Sequence, residues 1–314
     1  MLCDIAFMGG GVRGIAFAGA VKGLEDAGYK PRRVAGTSAG AIAAALVAVG
    51  FSGEEMRKEL SELDYRKFKT KDHLSLPISE LINLRRDYGI YSADNFEAWL
   101  EKLLKRKGKA TFGDLERGAE GWKLQLTASD MHNKRLLVLP QDLKLFGLNP
   151  KTFSIAKAVR MSMSIPLFYE ACRLKDSSGK EHLIVDGGLF CNYPIWLLDD
   201  GCGPTEVPVF GMRFAECESE KRKERKLFRL TDYIKLVIGA VLDADGHGYA
   251  RVTTGDTERN IDISVCVDGK TIGAVDFGLD KKTAAALFGN GYKASTDFLK
   301  GWDFEKWLKL RVEE

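Results

Sequence analysis

No run of apolar residues in this chain approaches the roughly 18–20 that a membrane-spanning helix needs. The most apolar stretch, Ala39–Val49, is short and rich in alanine. The net charge is only +3 over 314 residues, too little to indicate a general nucleic-acid role. The six cysteines (Cys3, Cys172, Cys191, Cys202, Cys217 and Cys266) lack zinc-type spacing and do not resemble a disulfide framework. Free thiols of a cytosolic protein are therefore the expectation. No basic-then-apolar leader precedes Asp4, so a secretory signal is not expected. There is no internal repeat, no cluster with metal-ligand spacing, and only four histidines from which a catalytic base could be drawn.

The chain does hold enough apolar material for a large core, with 45% of residues in the hydrophobic set. "IAFM" is a short apolar run ending in glycines, as a buried strand does. "GIAFAGAVKGLEDAG" switches to helical spacing, with Ile15, Val21 and Leu24 on one side and Gly28 as the stop. "RRVAG" returns to strand and "AGAIAAALVAVGF" to helix. This β-α-β-α opening predicts a three-layer α/β/α sandwich with a mainly parallel central sheet. Further strands are expected at "WKLQLTASD", "RLLVLP", "EHLIVDGG", "VPVFGMRF" and "NIDISVCVD". Helices are expected at "FSIAKAVRMS", "LTDYIKLVIGAVLDA" and "KKTAAALFGNGYKASTDFLKGW". Residues 1–314 read as one domain, with a polar helical insertion at about 51–108 that would be either a cap or scaffolding.

"GTSAG", Gly36–Gly40, stands between a strand and a helix and matches the nucleophile elbow G-x-S-x-G. The spacing is steric: Ser38 sits on a sharp turn, and only small residues two positions either side let strand and helix close on it. The helix N-terminus beside Ser38 favours a developing oxyanion. "GGGVRG", Gly9–Gly14, also matches the dinucleotide fingerprint G-x-G-x-x-G. That reading needs a carboxylate at the end of the second strand, where Ser38 stands instead. The loop is better read as exposed N–H groups, those of Gly10 and Gly11 above all, aimed at an oxyanion. Arg13 would either attract an anionic head group or pair with a carboxylate.

An activated serine needs a base. Among His73, His132, His182 and His247, the order serine–acid–histidine would admit Ser38, Asp186 and His247, but His247 lies in the polar stretch "DADGHGYAR". His182 falls on the flank of the strand that leads to Asp186. Asp186 itself is the stronger candidate: "LIVDGGL" puts a carboxylate at the end of an apolar strand, where its pKa is open to perturbation. A strand-ending Asp-Gly turn is the plainer account of the same residues.

"GGGVRG", "GTSAG" and "DGG", in this order and with these separations, resemble the patatin-like phospholipase family, as do "AVRMSMSIPLFYEA" and "LFCNYPIWLL" around the aspartate strand. The resemblance covers roughly Asp4 to Pro194. It implies a Ser–Asp dyad without histidine, with Ser38 as nucleophile and Asp186 as base. Gly10 and Gly11 would form the oxyanion hole, supported by Gly9, Arg13, Gly14, Gly36, Gly40, Gly187 and Gly188. It further implies hydrolysis of membrane-lipid esters, of the phospholipase A or lysophospholipase type, with no metal and no cofactor. An acyltransferase or thioesterase on the same elbow remains an alternative, and a dinucleotide-binding regulator a more distant one. Malonyl transfer is less favoured because Thr37, not histidine, adjoins Ser38.

For a lipid ester substrate, Met161, Met163, Ile165, Phe168 and Tyr169 would line an acyl groove or belong to the core. The basic stretches Lys102–Lys109 and Glu220–Lys226 would meet an anionic membrane or be solvated faces. The expected location is cytoplasmic, peripheral to the membrane where it meets its substrate, with no nucleic-acid partner.

Overall fold

The computed structural model describes residues 1–63, 88–115, 117–118, 121–199, 205–217, 257–276 and 278–312. The chain opens as β1 (Leu2–Phe7), α1 (Ile15–Asp26), β2 (Lys30–Gly36) and α2 (Ala39–Val49), the expected alternation. Gly28 ends the first helix at φ +83°, a backbone region open to glycine without strain. Then come α3 (Gly53–Ser61), α4 (Asp94–Lys105), β3 (Leu124–Asp130), β4 (Arg135–Leu139) and α5 (Ile155–Ser162). The later elements are β5 (Cys172–Lys175), β6 (Glu181–Asp186), β7 (Val209–Ala215), β8 (Asn260–Ser264), α6 (Lys281–Gly301) and α7 (Phe304–Val312). The helix expected at "LTDYIKLVIGAVLDA" lies outside the described residues.

These eight strands form one mixed, mostly parallel sheet in which β8, β7, β1, β2 and β3 run side by side in the same direction. Successive residues of β1 face opposite sides, as the pleat requires. Ile5 and Phe7 join the large core beneath α1, α2 and α6, while Ala6 joins Ala35, Val209 and Trp307 of α7 on the other face. Helix α6 packs so tightly on α1 that a Cβ at Gly291 would stand 1.8 Å from the Ala16 carbonyl oxygen. The described parts of the 51–108 region bury Met56, Leu60, Phe96 and Leu100 in the core.

One feature of the register positions the site. Leu126 of β3 pairs with Gly36 of β2 and with Leu139 of β4, and Ala128 pairs with Asp186 of β6 and with Leu137 of β4. A strand has two edges, and β4 fills one of them along this stretch. Strands β2 and β6 therefore share the other edge, arriving from opposite directions and stopping on either side of Thr127. Ser38 follows the end of one strand, and Asp186 is the end of the other.

The cysteine expectation needs correction. Cys217 and Cys266 form a disulfide, 49 residues apart in sequence, while Cys3, Cys172 and Cys191 are free and buried. Parallel pairing of β7 with β8 carries the two chain ends out together, a long-range match that spacing does not reveal. Cys202 lies outside the described residues.

At the opposite end of the sheet, the fully buried Asp4 binds two arginines. Arg32 donates through Nε at 3.0 Å and Nη2 at 2.8 Å, and Arg33 donates through Nε at 2.8 Å and Nη2 at 2.6 Å. Removing one partner of a buried ion pair strands the other charge. Asp4→Ala is expected to cost about 3–5 kcal/mol in urea unfolding, and a loss below about 1 kcal/mol would show the cluster to be structurally idle.

Candidate active site

Ser38 occupies the turn between β2 and α2 with φ 54° and ψ −119°, a region that non-glycine residues seldom occupy. The turn survives because its neighbours have no side chain. A Cβ at Gly36 would lie 2.3 Å from the Gly40 carbonyl oxygen, and one at Gly40 would lie 2.3 Å from that of Phe7. The backbone is braced from α5, where Ser162 Oγ accepts the Ser38 N–H at 3.0 Å. Thr37 fixes the approach: its hydroxyl shares a 2.6 Å hydrogen bond with Thr127 and donates to the Cys191 carbonyl at 3.0 Å.

Ser38 Oγ donates to Asp186 Oδ2 at 2.7 Å, across the junction of β2 and β6. Both residues are buried. The other carboxylate oxygen, Oδ1, accepts the Gly188 N–H at 2.7 Å, and Ser164 O accepts the Asp186 N–H at 2.8 Å. Gly187 must be small here, since its Cβ would stand 2.3 Å from Thr127 Oγ1. Burial pushes the Asp186 carboxyl up from 3.8 to about 7, against the opposing pull of the Ser38 hydroxyl and the Gly188 N–H. The site thus pairs a strained serine with a carboxylate that titrates near neutrality.

The glycine loop lies against this pair. A Cβ at Gly9 would come within 3.4 Å of Ser38 Cβ, and one at Gly14 within 3.5 Å of Ala39 Cβ. The Gly9 N–H donates to the Asn192 carbonyl at 2.9 Å, and that of Val12 to the Ala274 carbonyl at 3.0 Å. Between them, the N–H groups of Gly10 and Gly11 meet no acceptor among the described residues. Gly11 has φ +58°, and its Cβ would fall 1.8 Å from Ala274 O. Arg13 is 3% exposed; its Nε donates to the Gly10 carbonyl at 2.9 Å and its guanidinium lies over the Phe214 ring. From this buried position Arg13 braces the loop.

The segment after Asp-Gly-Gly holds all three motifs together, since Cys191 O takes the Thr37 hydroxyl and Asn192 O takes the Gly9 N–H. Those two residues, with Ser162 and Ser164, are the site's unforeseen members. All four fall within or beside the stretches "RMSMSIP" and "LFCNYP", whose likeness to a family was visible while their individual roles were not.

The described histidines stand apart from Ser38. His182, the second residue of β6, lies between Asp130 (Nδ1–Oδ2 3.0 Å) and Asp176 (Nε2–Oδ2 3.3 Å), and His132 Nδ1 accepts the Leu183 N–H. His73 and His247 lie outside the described residues. Met161, Met163, Ile165, Phe168 and Tyr169 are all core side chains. Three of the five cations in the basic stretch Lys102–Lys109 form ion pairs: Lys105 with Glu101, Arg106 with Glu59 and Lys107 with Glu55. Its counterpart Glu220–Lys226 lies outside the described residues. A cavity of about 310 Å³ opens elsewhere, beside Asn260, Trp302 and Trp307. It sits where the parallel strands begin, whereas ligands of open α/β sheets gather where they end.

Residues 5–199 match the family model described as patatin-like phospholipase. The chain is 40% identical over 310 residues to the uncharacterized protein YqhO of Bacillus subtilis (strain 168), covering 97% of this chain and all of that one. It is 26% identical over 297 residues to the uncharacterized protein R571 of Acanthamoeba polyphaga mimivirus, covering 93% and 91%. Among solved structures, the type III effector protein ExoU is similar with a TM-score of 0.52 at 15% identity, and VipD from Legionella pneumophila with 0.51 at 17%. Each comparison covers 95% of this chain, which spans 52% of the ExoU chain and 66% of the VipD chain; at such identities the likeness is one of fold. The chain belongs to the patatin-like phospholipase family, and its general activity is the hydrolysis of lipid esters.

Proposed function

We propose that this protein is a metal-independent serine lipid acyl hydrolase of the phospholipase A or lysophospholipase type, working through Ser38 and Asp186. The observation that carries the reading is the 2.7 Å hydrogen bond from Ser38 Oγ to Asp186 Oδ2, inside a buried junction. In the first half-reaction Asp186 takes the Ser38 proton as Oγ attacks the ester carbonyl. The N–H groups of Gly10 and Gly11, and the positive end of α2, receive the oxyanion. The tetrahedral intermediate collapses, Asp186 returns the proton to the departing alkoxide, and Ser38 is left acylated. Water then attacks the acyl-enzyme with Asp186 again as base, which frees the fatty acid and restores the serine. A base needs only reach and a suitable pKa, and a carboxyl near 7 meets both conditions without a histidine.

Contact with the lipid is proposed to be peripheral; no described helix is long and apolar enough to cross a membrane. Mass profiling of products from a mixed phospholipid extract, wild type against Ser38→Ala, tests the activity. The base assignment has its own signature. Because the ionised carboxylate is the active form, kcat/KM on a soluble short-chain ester should rise with pH through about 7 and then level. At pH 5 it should be about 100-fold below the plateau, and His182→Ala should leave the midpoint in place. A profile flat from pH 5 to 8 would remove Asp186 from the role.

A further inference from the structure

The disulfide stands at one end of a short chain of contacts whose other end is the glycine loop. Cys217 stands two residues beyond the end of β7, and Cys266 begins a hairpin in which Cys266 pairs with Thr271 and Val267 with Lys270. From that hairpin residues 272–276 run as a strap to the loop. Ala274 O accepts the Val12 N–H at 3.0 Å and lies where any Cβ at Gly11 would have to go. The strap thus holds the loop at Val12 as Asn192 holds it at Gly9, and Gly10 and Gly11 lie between the two holds in sequence.

What fixes the strap is the base of the hairpin. Ile272 N–H donates to Val265 O at 3.0 Å, and Thr271 Oγ1 accepts the Cys217 N–H at 3.1 Å. Asn290 of α6 donates to Ser264 O at 2.9 Å and to Cys266 O at 3.0 Å. The disulfide is the covalent tie in this set. Cys217 and Cys266 are half-buried, whereas the free thiols of Cys3, Cys172 and Cys191 are buried.

We propose that the Cys217–Cys266 disulfide is a redox control on the hydrolase. Closed, it holds the 272–276 strap in the position that aims the Gly10 and Gly11 N–H groups at Ser38; opened, it releases the strap and slows acylation. The chemistry is thiol–disulfide exchange. A dithiol reductant supplies two electrons and two protons, the S–S bond becomes two thiols, and the dithiol closes to its own disulfide. The inference rests on the Ser38 reading for its kinetic consequence, but its mechanical half can be measured without catalysis.

The test uses the full chain purified without reductant. Thiols are counted before and after dithiothreitol, and turnover of p-nitrophenyl butyrate and hydrogen exchange of the Val12 amide are followed in parallel. Reduction should expose two new thiols, speed exchange at Val12 and lower kcat by about tenfold with KM little changed. That is less than the 10²–10³ typical of outright loss of an oxyanion donor. Reoxidation should restore both readouts. The double variant Cys217→Ser/Cys266→Ser should sit at the reduced level and ignore the reductant. Unaltered kcat after two thiols have appeared, unaltered exchange at Val12, or no disulfide in the purified protein would each overturn the proposal. Faster exchange at Val12 in a protein that hydrolyses no ester would support the coupling and defeat the Ser38 reading instead.

Discussion

Ser38→Ala and Asp186→Asn are each expected to lower kcat on a soluble ester by on the order of 10⁴-fold or more, and the double variant should be little worse than either. The two residues form one proton-transfer unit joined by a 2.7 Å hydrogen bond, so losing either half removes the whole function of the pair. The Asp186 variant should also reveal what burial costs. The folded-state pKa of about 7 lies above the ordinary value of 3.8, so the folded protein keeps a proton that the unfolded chain has released. The stabilisation from this group is complete below pH 3.8 and is lost as pH rises through about 7. Asp186→Asn carries no charge at any pH. It should therefore melt higher than wild type at pH 8, with the difference closing towards pH 5. An Asn variant that melts well below wild type at pH 8 would mean that the ionised carboxylate holds the junction together, contrary to this account.

Gly11→Ala should lower kcat by roughly 10²–10³ while leaving KM for a small ester nearly unchanged. Two independent effects act at this position. The backbone at φ +58° is costly for any residue with a Cβ, and the added methyl would lie 1.8 Å from Ala274 O, a backbone atom that has no rotamer by which to escape. The loop or the strap must then shift, and the N–H groups of Gly10 and Gly11 move with it. A split between kcat and KM separates this from general damage, because a merely loosened fold would weaken both. Full turnover in a folded Gly11→Ala protein would take the oxyanion role away from the loop.

Both effects were legible in the sequence to different depths. The elbow was readable because its cause is local: Gly36, Ser38 and Gly40 occupy one turn, and steric demands within a turn leave a mark at fixed spacing. The parallel opening of the sheet was readable for the same reason, from two successive changes of period. The pairing of Ser38 with Asp186 was suggested by a carboxylate at the end of an apolar strand and by likeness to a family, and the contact itself was not legible. Its physical cause is the shared edge of β3, and a register between strands so far apart leaves no mark at any fixed spacing. The burial of Arg13 under Phe214, the brace from Ser162, and the Cys217–Cys266 bond are of the same non-local kind. Cross-helix ion pairs are likewise absent from a charge run. Two of the cations in Lys102–Lys109 meet Glu55 and Glu59 of α3, partners some fifty residues away.

The most direct measurement of the central claim is the site of covalent capture by a serine-directed fluorophosphonate, mapped by peptide mass spectrometry on the intact chain. One adduct is expected, on Ser38, formed by wild type, absent in Ser38→Ala and strongly slowed in Asp186→Asn. An adduct on any other residue, or labelling of the Asp186→Asn protein at the wild-type rate, would contradict that claim.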